Sequence, residues 1–256
     1  MLLHAEVEGT GPRLVLVHGF TQTGRSWGPV ADDLATDHEV VRIDAPGHGR
    51  SDRIMAGLRT GARLIADRGD RATYLGYSMG GRYCLHLALA NPELVDALVL
   101  VSATAGIDDP TERAARAEQD LALADRIEAI GVDAFVDEWL AQPLFAALPP
   151  AAAGREARRD NTADGLAESL RQAGTGSQDP LWDRLDRLAM PVLVVAGEHD
   201  TKFTGLAARL VRAIGPNAEL ATITGAGHAP HLERPDTFLA VLRSWLNSGD
   251  RTTSAL

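Results

Sequence analysis

The chain has 256 residues, of which 45% are hydrophobic and 23% charged, and a formal net charge of −10. This balance excludes a disordered chain and gives nucleic acid no footing as a partner. The single cysteine, Cys84, excludes an internal disulfide framework and a cysteine-rich zinc site.

No apolar run approaches the roughly 20 residues that a membrane helix needs. Met1 to Thr10 lack the basic-then-apolar order of a secretion signal. The expectation is a cytoplasmic protein without membrane insertion. In chain order, Arg13–His18, Glu39–Asp44, Ala72–Tyr77 and Ala97–Ser102 are short runs rich in β-branched residues and leucine. Such runs predict strands buried on both faces. Gly80–Asn91 is a small-residue helix stopped by Pro92. From Gly106 to Gln178 the pattern is helical only, with helices predicted over Thr111–Ile130, Asp133–Leu140 and Arg155–Ala173. Strands return at Pro191–Gly197 and Glu219–Thr224, a last helix covers Asp236–Leu246, and a frayed polar tail is expected from Ser248. Strands alternating with helices imply crossovers and a mostly parallel sheet with helices on both faces.

Gly76-Tyr-Ser-Met-Gly80 fits G-x-S-x-G between a strand and a helix. A sharp turn there lifts the Ser78 hydroxyl out of the fold. A serine hydroxyl needs a histidine to take its proton, and the histidine needs an acid to fix its tautomer. In parallel sheets of this kind the chain order is serine, acid, histidine. Asp200 follows one late strand and His228 follows the next, at the sheet edge where ligands gather. Glu198 is the rival acid and His231 the rival histidine. The backbone N–H groups of Phe20, after the first strand, and of Met79 would make an oxyanion site. His18 and His48 sit in glycine-containing turns and read as structural. Cys84, among Leu85 and Leu87, reads as a buried apolar side chain.

Together these motifs resemble the α/β-hydrolase superfamily over essentially the whole chain. The resemblance implies a hydrolase core at 1–106 and 179–256 and a helical cap at 107–178, inserted after the sixth strand. Five segments narrow it: Gly76–Arg82, Glu138–Phe145, Gly174–Gln178, Gly197–Phe203 and Gly225–His228. Their set is similar to the 2-succinyl-6-hydroxy-2,4-cyclohexadiene-1-carboxylate synthases of menaquinone biosynthesis. That implies a lyase that eliminates pyruvate from a small anionic polycarboxylate, with no metal and no organic cofactor.

Arg82 lies one helical turn after Ser78, where a guanidinium matches a carboxylate with two parallel bonds. The family also turns cap arginines toward its substrate, which points here to Arg116 and Arg158, with Arg113 and Arg159 as alternatives. Tyr77 is a candidate donor beside the serine. Trp139 is a pocket wall or cap core. Lys202, the only lysine, is added charge near the acid loop or a surface residue. A solvated helix face is the alternative reading for the whole run Arg155–Asp160. An ester or carbon–carbon bond hydrolase, and a receptor that kept the fold, are the competing functions.

Overall fold

The computed structural model describes residues 2–249. Its sheet has seven strands among the described residues: β1 (Ala5–Glu8), β2 (Arg13–Val17), β3 (Glu39–Ile43), β4 (Ala72–Tyr77), β5 (Val95–Val101), β6 (Val192–Gly197) and β7 (Ala218–Ile223). Their spatial order is β1-β3-β2-β4-β5-β6-β7. Every neighbouring pair is parallel except β1 with β3, where Ala5 lies opposite Ile43. This is an α/β-hydrolase fold.

The central strands have no solvent face. Val15 and Val17, Leu98 and Leu100, and Val192 and Val194 pack into one apolar cluster. The alternating Leu14 and Leu16, Val99 and Val101, and Leu193 and Val195 pack into another. Period-two alternation of side chains therefore places an apolar residue on both faces at every step. Helices α2 (Leu58–Gly69), α3 (Met79–Ala90) and α7 (Thr201–Ile214) cover one face. Helices α1 (Gly28–Leu34) and α9 (Pro235–Gly249) cover the other. The short α8 (Pro230–Glu233) precedes α9.

Between β5 and β6 the chain forms helices only: α4 (Pro110–Leu140), α5 (Arg155–Arg159), α6 (Ala163–Ala173) and short 3-10 turns. α4 and α6 share their own apolar cluster, with Ala124, Ile127, Phe135, Leu166, Ala167 and Leu170 buried together. The two predicted helices 111–130 and 133–140 are the two arms of α4, which kinks at Gly131, where the backbone is non-helical (φ 77°, ψ 170°). Glycine takes this conformation without a steric cost.

Four expectations are corrected. β1 escaped prediction because it is a four-residue edge strand that carries a half-buried Glu6 and an exposed Glu8. Five strands, not six, precede the helical segment. The single helix expected over Arg155–Ala173 is two, because Thr162 caps α6 by accepting from the Gly165 N–H, while the Asn161 side chain reaches elsewhere. The last helix continues through Ser248 to Gly249, and the rest of the predicted tail lies outside the described residues.

Candidate active site

Ser78 sits at the β4–α3 turn with φ 50° and ψ −107°, a conformation side chains rarely adopt. The turn closes only because its flanks are glycine. A Cβ on Gly76 would lie 2.5 Å from the Gly80 backbone, and one on Gly80 would lie 2.1 Å from the Val17 carbonyl. The Ser78 N–H is anchored to the Val101 carbonyl at 2.8 Å.

Three side chains from three loops meet here. His228 Nε2 lies 3.3 Å from Ser78 Oγ, and His228 Nδ1 lies 2.7 Å from Asp200 Oδ2. The other Asp200 oxygen accepts from the Phe203 N–H at the start of α7. Asp200 is therefore both partner to the histidine and helix cap, and the cap fixes the carboxylate that orients the ring. The rivals are elsewhere: Glu198 accepts from the Gly225 N–H, and His231 is buried against Trp27 and Tyr77. Burial pushes His231 down to about 3 and His18 down to about 4.

Ser78 and His228 open into a cavity of about 540 Å³ roofed by the helices between β5 and β6. Phe20 and Met79 line it, and neither backbone N–H has a hydrogen-bond acceptor among the described residues. Tyr77 also lines it, its ring 5.5 Å from His228. Burial pushes the Tyr77 phenol up, so it stays protonated. Trp139 forms an aromatic wall with Phe20 (5.2 Å) and Phe145 (5.7 Å), and its indole N–H has no hydrogen-bond partner among the described residues.

The predicted cations line the same cavity, each in a different state. Arg82 is buried and donates to the Ala173 and Gly174 carbonyls at 2.8 and 3.2 Å, at the C-terminal end of α6. It faces the cavity while already tied to the helix above it. Arg158 is 2% exposed, donates to the Ala153 carbonyl at 2.8 Å and to the Phe20 carbonyl, and bonds the Thr21 hydroxyl. Its Nη2 has no protein partner among the described residues. Burial lowers both guanidinium groups to about 10, which leaves them charged at neutral pH. Arg116 lines the cavity and pairs with Asp120 at 2.7 Å.

The alternatives point away. Arg113 bonds the Ile107 and Asp108 carbonyls, and Arg159 joins a surface network with Asp133, Asp137 and Glu156. Burial of Arg158 also sets aside the alternative of a solvated face for this residue. Lys202 is exposed at the cavity wall, 5.8 Å from the Phe203 ring.

Two wall residues were not foreseen. Phe203 packs tilted against His228 with ring centroids 4.5 Å apart, and Arg209 lies over Trp182 at 3.7 Å while pairing with Asp108. Phe203, Leu206 and Arg209 are spaced by three on α7, so they share a helix face just after the acid loop. That spacing was the available signal. The acids Asp108, Asp109 and Glu112 also line the cavity.

Residues 14–241 match the alpha/beta hydrolase family. The chain belongs to that family. Among alpha/beta hydrolase relatives, a Bacillus subtilis protein assigned as a 2-succinyl-6-hydroxy-2,4-cyclohexadiene-1-carboxylate synthase is 35% identical, over 92% of this chain and 90% of its own. The Yersinia pestis (strain Pestoides F) protein of that name is 31% identical, over 93% of this chain and 88% of its own. The solved structure of MenH from S. aureus has a TM-score of 0.90 and 30% identity, covering 96% of this chain and 99% of that one. Among the described residues no helix is long and apolar enough to cross a membrane.

Proposed function

We propose that the protein is a carbon–oxygen lyase of menaquinone biosynthesis. It would eliminate pyruvate from a cyclohexene polycarboxylate to give 2-succinyl-6-hydroxy-2,4-cyclohexadiene-1-carboxylate. One observation carries this reading: the Ser78–His228–Asp200 line opens into a cavity whose wall holds Arg82, Arg116 and Arg158. The names of the relatives support the same reading.

In this reading residues 107–178 act as a cap over the core. Ser78 Oγ, relayed to His228 Nε2, removes a ring proton. Asp200 holds the Nδ1–H tautomer and stabilises the imidazolium that forms. The electron pair of the broken C–H bond becomes a ring double bond. The existing ring double bond shifts, the ring carbon–oxygen bond breaks with its electron pair going to oxygen, and pyruvate leaves as its enolate, which takes a proton on carbon to give the keto acid. The N–H groups of Phe20 and Met79 stabilise charge on a substrate oxygen, and the arginines fix the carboxylates. The acidic molecule repels a polyanion at long range, so cations inside the cavity supply the local attraction.

Incubating the purified protein with the enolpyruvyl precursor tests this. Pyruvate release, abolished by Ser78→Ala, is the expected result. No pyruvate, with hydrolysis of simple esters instead, would replace the lyase by a carboxylester hydrolase. Ligand binding without turnover would leave a receptor.

A further inference from the structure

We propose that Asn161 is a positioning residue through which the cap holds the Phe20 N–H in place. This rests on the oxyanion role given to Phe20 above.

Thr21, the next residue, has φ 67°. A β-branched side chain in left-handed backbone is strained, and such a conformation persists only where the surroundings impose it. All three polar groups of Thr21 are held. Its N–H donates to His48 Nε2 at 3.3 Å, its carbonyl accepts from Asn161 Nδ2 at 2.7 Å, and its hydroxyl bonds Arg158. Two of those three contacts come from the cap. The core alone supplies one.

Asn161 is 5% exposed, and both ends of its amide are hydrogen-bonded. Nδ2 donates to the Thr21 and Arg158 carbonyls, and Oδ1 accepts from the Gly49 N–H at 2.8 Å. It therefore joins the Arg158 end of α5 to two core loops at the carboxyl edge of the sheet, 18–23 and 44–51. The same contacts break the helix between α5 and α6, so the interruption has a use. With the cap seated, Thr21 is forced into its strained conformation and the Phe20 N–H is presented. Without Asn161 the loop relaxes toward ordinary backbone and the donor is lost, while the arginines that bind carboxylates stay.

A fluorophosphonate reads this without the natural substrate. Ser78 Oγ attacks phosphorus, the P–F bond breaks, fluoride leaves, His228 takes the serine proton, and the phosphoryl oxygen needs the oxyanion donors. Asn161→Ala should slow phosphonylation of Ser78 at least tenfold. The precursor's affinity, measured by calorimetry in the Ser78→Ala background, should change less than threefold. Thr21→Gly in the N161A protein should recover part of the rate, because glycine accepts that φ. Asn161→Asp, of the same shape but without the donor, serves if N161A does not fold. Phosphonylation at the wild-type rate in either variant would overturn the proposal, as would a wild-type protein that does not react. Wild-type phosphonylation without pyruvate release would instead sink the lyase reading and leave Asn161 standing.

Discussion

Arg82 has two employers at the residue scale. Its guanidinium lines the cavity and donates to the two carbonyls that end α6. A hydrogen bond to a charged group contributes about 1.5–3 kcal/mol, so Arg82→Ala should lower kcat/KM on the polyanion roughly 10- to 150-fold. A small neutral ester should show little change. Arg82→Lys keeps the charge but not the paired donors, and should recover only part of the loss. Equal losses on both substrates would mean that Arg82 only holds α6. Ser78, Asp200 and His228 were legible because their chain order is itself the signal. The burial of Arg158 was not, because it depends on Thr21 and Ala153, which no local pattern connects to α5.

At the scale of elements, runs such as Leu98–Val101 identify themselves because both faces are buried. β1 does not, since Glu6 and Glu8 turn to Arg42 on the neighbouring strand rather than into a core. The break after α5 was hidden for a different reason. Local sequence favours one helix there, and contacts from the core overrule it. Thr162 then restarts the helix by accepting from the Gly165 N–H at 3.2 Å. Thr162→Ala should cost about 1 kcal/mol, as capping hydroxyls usually do. Urea unfolding at pH 7 measures it, and an unchanged midpoint would show that this cap contributes nothing.

Four buried imidazoles shape the behaviour of the whole molecule in acid. Burial holds His18 and His86 down to about 4, and His48 and His231 down to about 3, so all four are neutral in the folded state well below the ordinary value of 6.5. The unfolded chain takes up their protons first. Stability is therefore complete above about pH 6.5 and falls as the pH drops toward 3–4, where the folded forms also titrate. Near pH 5, these groups should take up close to four protons on unfolding, or roughly 5 kcal/mol of stability per pH unit. Urea midpoints at pH 7 and pH 5 test the sign, and equal midpoints would refute it. The network makes the cause concrete. His48 Nε2 accepts from Thr21 and His18 Nε2 accepts from Ala45, and a proton on either nitrogen removes that acceptor.

The solitary ammonium side chain at position 202 stands on the cavity wall beside Phe203. Amine-directed acylation therefore has one side-chain target in all 256 residues, and that target overlooks Ser78. A dye or crosslinker installed there would report occupancy of the cavity from inside, with no engineered handle required.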